Sequence, residues 1–156
     1  MLLHNRLLRA KYYHGYGVHS PFVYMLVRNA FMGKGLESQD DHSLYEALLR
    51  RDVAERRAVQ LQRTFAYCKA SSFAIDEAAG DFRVLTEAFP TESLGKAYEE
   101  AHKEGVILVI MKPYADRCRQ RVCCEIVERH DSTSVDNRAY LIIFNTNKLP
   151  KQNFRL

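Results

Sequence analysis

The chain has 156 residues, 47% apolar and 27% charged, the size and balance of one globular domain rather than a fibrous or disordered chain. No apolar run approaches the roughly 20 residues that cross a bilayer. Residues 1–6 lack the apolar core of a secretory signal, so a cytoplasmic protein without a membrane partner is expected. The net charge of +4 is uneven: residues 1–36 hold Arg6, Arg9, Lys11, Arg28 and Lys34 and no acid, and the other 18 basic and 19 acidic residues leave the rest at −1.

Leu2, Leu3, Leu7 and Leu8 predict a short amphipathic helix over 1–11, with Arg6, Arg9 and Lys11 outside. A glycine-punctuated aromatic loop, 12–19, follows. Ser20-Pro21 starts a helix, because serine caps free amides and proline suits the first helical position. Val23, Leu26, Val27 and Ala30 continue it to Gly33 and Gly35. These residues form a helical N-terminal arm, 1–36, packed on an α/β domain, 37–156. Residues 36–42 read as a polar connection. Residues 43–69 read as helix, either one or two joined, with no glycine or proline to decide between them.

Ser71–Ile75 and Phe82–Phe89 read as strands, with a turn at Ala78–Asp81. Pro90-Thr91 opens a helix with Leu94, Ala97, Tyr98 and Ala101 on one face, and Gly105 closes it. Gly105–Lys112 is the longest apolar run and β-branched, the pattern of a central strand buried on both faces. Strand, helix and strand here make a βαβ unit. A further helix runs to about His130, with Ala115, Cys118, Val122 and Ile126 as its buried stripe. Ser132–Asp136 and Arg138–Asn145 then form an antiparallel hairpin at the sheet edge. The tail from Lys148 carries no pattern of its own. Cys68, Cys118, Cys123 and Cys124 lack paired zinc-ligand spacing and read as free, mostly buried thiols.

Three stretches resemble a family of bacterial class I methyltransferase-like proteins of unassigned substrate. His14–Tyr24, of the form HG-x-HSPFVY, looks like that family's N-terminal signature. Arg83–Tyr114 resembles the fourth and fifth strands of the Rossmann-like sheet. Tyr140–Asn145 with Leu149–Phe154 is similar to the last strand and closing tail. The resemblance implies a Rossmann-like sheet with helices on both faces and a C-terminal antiparallel hairpin. It also implies S-adenosylmethionine as the cofactor wherever the family activity survives.

The departures from the family are specific. Family members are usually much longer. A glycine-rich loop after the first strand normally lets the backbone approach the cofactor. Here that loop is Asp76–Asp81, with Gly80 its one glycine. The second and third strands have no counterpart, nor has the acid that holds the ribose. The expected protein is a shortened, degenerate, non-catalytic member with a binding or assembly role. Its depleted sheet edge would be covered by the 43–69 helix or by a second copy in a homodimer.

Ligands of open α/β sheets bind at the carboxyl ends of the strands. Those ends gather Asp76, Glu77, Glu87, Lys112 and Asp116, as acid/base groups or as solvated loop charges. Surviving cofactor contacts would fall on Asp76, Glu77, Gly80 and Glu87. His14 and His19 precede a helix N-terminus and either hold an anion or pack a corner. Arg6, Arg9 and Lys11, with Tyr12, Tyr13 and Tyr16, could form a small RNA-binding surface or a solvated face. An active methyltransferase with an atypical cofactor site is the other reading. His42, His102 and His130 read as surface residues, and no metal site is expected.

Overall fold

A computed structural model describes residues 20–38 and 41–156. The chain divides into two compact units, with the boundary between Ala70 and Ser71.

In the first unit, α1 spans Pro21–Leu26. The Ser20 side chain accepts the Val23 N–H at 3.3 Å, and Pro21 sits at the first helical position, as the sequence requires. The helix widens into a π-helical turn over Val27–Phe31, closed by Met32 N–H on the Val27 carbonyl at 3.0 Å. The 43–69 segment is two helices, α2 at Ser43–Leu49 and α3 at Glu55–Tyr67. Asp52 breaks them with a φ of 59°, a left-handed conformation that aspartate tolerates better than most side chains. Gln60 on α3 donates to the Phe31 carbonyl, and Arg63 donates to the carbonyls of Asn29 and Gly35. α3 thereby satisfies the loose end of the π turn.

The second unit, Ser71–Arg155, is α/β. Its strands are β1 (Phe73–Ile75), β2 (Phe82–Leu85), β3 (Ile107–Met111), β4 (Thr133–Asp136), β5 (Tyr140–Phe144) and β6 (Gln152–Arg155). They form one mixed sheet in the order β1-β2-β3-β5-β4-β6. β1, β2 and β3 pair parallel, while β5 is antiparallel to both β3 and β4. The predicted central strand is therefore β3, with Leu108, Val109 and Ile110 fully buried.

β4 and β5 do pair antiparallel, but not at the edge. β6 lies outside β4 and parallel to it, so the patternless tail is a strand. Ser132, Thr133 and Ser134 donate to Leu149, Pro150 and Asn153, so side-chain bonds dock it where apolar alternation does not.

α4, Leu94–Glu104, and α5, Arg117–Arg129, share one face of this sheet. Leu94, Tyr98 and Ala101 meet Leu85, Leu108, Ile110, Leu141 and Ile143. Gly105 ends α4 at φ 68°, and Val106 N–H bonds the Ala101 carbonyl, a glycine-terminated helix end. The opposite sheet face is buried too, at Phe82, Val84, Val109 and Ile142.

The buried stripe of α5 differs from the one predicted. Ala115 and Cys118 are exposed, whereas Arg119, Cys123 and Ile126 face inward. Arg119 is 2% exposed and makes four hydrogen bonds to the carbonyls of Thr86, Phe89 and Met111, at 3.0–3.2 Å. A buried guanidinium is tolerated where its N–H groups are satisfied. Replacing it leaves three carbonyls at the strand ends without their donor. Arg119→Met is expected to lower stability by about 3 kcal/mol, since each buried orphaned group costs about 1–3 kcal/mol. Urea denaturation of the two proteins measures the difference.

Candidate functional site

The carboxyl ends of β1, β2 and β3 carry the acids and the lysine expected there. Asp76 ends β1 with a φ of 59°, and its carboxylate accepts both the N–H and the hydroxyl of Thr86, each at 2.7 Å. The end of β1 is thus tied to the end of β2. Glu87 and Lys112 form an ion pair at 2.6 Å, with both side chains more than half exposed. Such a pair contributes little to stability. Asp116 caps α5 by accepting the Arg119 N–H at 2.8 Å. Glu77 is exposed.

The return from β1 to β2 is the unusual feature. Adjacent parallel strands ordinarily need a crossover of a dozen or more residues. Here Asp76–Asp81 makes it in six. Gly80 adopts φ 74°, and a Cβ placed on it would lie 3.0 Å from the Phe73 backbone. The loop therefore runs back directly against β1. Asp81 then clamps the approach to β1, accepting the N–H and hydroxyl of Ser71 (2.9 and 2.8 Å) and of Ser72 (2.8 and 3.2 Å).

These residues do not fit S-adenosylmethionine. The space spared by Gly80 is filled by the chain's own backbone. The Asp76 carboxylate is bonded to Thr86, and among the described residues no strand lies beyond β1 to supply a ribose acid. A cavity of about 210 Å³ opens between this loop and α4, lined by Glu77, Ala78, Arg83, Leu85 and Phe89. It is smaller than the roughly 300 Å³ at which small-molecule sites begin. Arg83 on its floor is buried, paired with Glu104 and bonded to the Gly80 carbonyl at 3.2 Å.

A second cavity, about 150 Å³, lies under α5 beside Tyr114, Cys123, Cys124 and Asp136. The Tyr114 hydroxyl donates to Asp136. Burial pushes the Cys123 thiol up to about 11 against the opposing charge of Arg119, and pushes Cys68 up to about 12. Both are protonated and unreactive at neutral pH. All four cysteines are free, but Cys118 is exposed rather than buried.

Arg6, Arg9, Lys11, His14 and His19 lie outside the described residues, as does the aromatic loop between them. His42 is half-buried, its Nε2 2.8 Å from the Glu37 carbonyl. His130 is not a surface residue: it is wholly buried, between the Tyr98 hydroxyl and the Phe144 carbonyl. His102, half-buried, stands beside it, their ring centres 6.1 Å apart. Spacing along the chain could not bring these two together. One local signal existed: position 130 continues the 119, 123, 126 stripe of α5.

Burial raises the Asp81 carboxyl, but the hydrogen bonds from Ser71 and Ser72 outweigh it and hold it below its ordinary 3.8. Its contribution is therefore present above pH 3.8 and fades as pH falls through the lower folded-state value. Asp81→Asn is expected to melt below the wild type at pH 7. The gap in melting temperature should close as the pH falls below about 4. A gap independent of pH would show that the charge of Asp81 has no part in the clamp.

A scan of protein-family models, a search of curated proteins and a search of solved structures each find no match to this chain.

Proposed function

We propose that this chain is a methyltransferase-like protein whose cofactor half has been lost, and that it acts by binding or assembly rather than catalysis. The six-residue return at Asp76–Asp81 carries the reading. In the family that residues 14–24 resemble, the loop after the first strand faces the cofactor. Here the equivalent loop folds onto Phe73 and leads straight into β2. The sheet order supports the same descent. Parallel β1, β2 and β3 are followed by a reversed strand, β5, paired with β4, as in sheets that close with an antiparallel hairpin.

What remains at the carboxyl edge is engaged internally. Asp76 holds Thr86, Glu87 holds Lys112, and Arg119 holds three carbonyls. A catalytic site needs polar groups aimed at a substrate. These are aimed at one another.

Isothermal titration of the full chain with S-adenosylmethionine, and separately with S-adenosylhomocysteine, tests the loss of the cofactor site. No heat of binding is expected at micromolar concentrations. Micromolar affinity for either would sink the reading and favour an active enzyme with an atypical site.

The assembly role has a separate test. β1 forms one outer edge of the sheet, and exposed edges recruit further strands. Light scattering is expected to give twice the mass of the 18.1 kDa chain, through β1 pairing with a second copy. A monomer would remove the homodimer while leaving the titration result standing.

A further inference from the structure

The edge of the sheet opposite Asp76 and Lys112 carries a cluster that the methyltransferase-like reading does not use. It joins the last turn of α4, the end of α5 and the end of β5. His102 comes from α4, His130 caps the end of α5, Asp131 follows it, and Asn145 follows β5. One ligand-type atom from each of His102, His130 and Asp131 lies within 4.8 Å of the other two.

The hydrogen bonds around the two imidazoles assign which nitrogen of each ring carries the lone pair. His130 Nε2 lies 3.2 Å from the Phe144 carbonyl, which can only accept. That nitrogen therefore carries the proton, and Nδ1 carries the lone pair. The Tyr98 hydroxyl, 3.1 Å away, donates to that lone pair. Asn145 Nδ2 donates to the Val106 carbonyl at 2.7 Å, which turns Asn145 Oδ1 toward His102. His102 Nδ1, 3.2 Å from that oxygen, is therefore the protonated nitrogen. Its Nε2 lone pair faces Asp131 Oδ2 at 3.8 Å.

Both histidines thus donate one N–H to a carbonyl-type oxygen; the other nitrogen faces Asp131 in His102 and accepts from Tyr98 in His130. Metal-binding histidines are held in this way, and the outer bonds set tautomer and ring direction. Arg129 pairs with Glu99 at 2.7 Å, and its guanidinium lies over the Tyr98 ring at 5.0 Å.

We propose that His102 Nε2, His130 Nδ1 and the Asp131 carboxylate form a site for a borderline divalent cation of the zinc class. Two imidazoles and one carboxylate suit such an ion, whereas magnesium and calcium demand more oxygen ligands. Asp131 and His102 are reachable from solvent while His130 is not, so the ion enters from the Asp131 side. The three ligand atoms, all within 4.8 Å of one another, draw in to the roughly 3.3 Å separation of ligands on a tetrahedral ion, and a water takes the fourth position. The Tyr98 hydroxyl gives up its bond to His130 and can hold that water instead.

Titration of the metal-free full chain with zinc chloride, followed by calorimetry, tests the site. One ion per chain is expected, with no response to magnesium or calcium. His102→Ala and Asp131→Asn, both at partly exposed positions, should each weaken binding by about tenfold or more. Asn145→Ala should weaken it less, by releasing the His102 ring. The cobalt(II)-loaded protein should show nitrogen and oxygen coordination with no thiolate charge-transfer band. Absence of zinc binding, binding unchanged in both ligand variants, or a thiolate band placing the ion on Cys118 or Cys124 would each overturn the proposal.

Discussion

The Asp81 carboxylate, held by two serine amides and two serine hydroxyls, is the constraint on which the β1 side of the sheet depends. A strand of three residues has few ladder bonds to hold it. Only six residues separate it from its parallel partner, so the connection cannot contain a crossover helix. The clamp fixes the chain before β1 to the chain before β2. Asp76 does the same at the other ends of these strands, through Thr86. Two aspartates, one at each end of the loop, therefore make possible a parallel pairing that is normally reached through a covering helix.

The same loop packs directly against β1. Gly80 is needed because the chain turns left-handed there and passes against Phe73. A glycine in this position of a nucleotide-binding fold would ordinarily make room for a cofactor. Here it makes room for the return. Further along the same edge, Arg119 takes up the free carbonyls at the ends of β2 and β3. A buried cation satisfied by backbone is a structural device, and it ties these chain segments to α5.

The legible parts were those with a local cause. The run Gly105–Lys112 could only be a strand buried on both faces, and Ser20-Pro21 and Gly105 mark helix ends through caps that need no tertiary partner. The illegible parts needed partners distant in sequence. Arg119 reads as a solvent-facing charge until three carbonyls, up to 33 residues away, are brought to it. His130 reads as exposed until β5 closes beneath it. β6 alternates in burial but not in hydrophobicity, since its inward positions are Gln152 and Phe154 and its docking comes from serine and threonine side chains. The break between α2 and α3 rests on Asp52, a residue that permits a left-handed turn without announcing it. For the candidate site, the positions of Asp76, Glu87 and Lys112 followed from strand ends alone. What those groups are bonded to did not.

The central claim is that the loop after β1 serves the chain rather than a ligand, and the stability of Gly80→Ala in the absence of any ligand tests it most directly. A side chain there must adopt a left-handed conformation and displace the Phe73 backbone. The account predicts a loss of about 2 kcal/mol or more in urea denaturation. A variant as stable as the wild type would contradict it, because the space beside Gly80 would then be open.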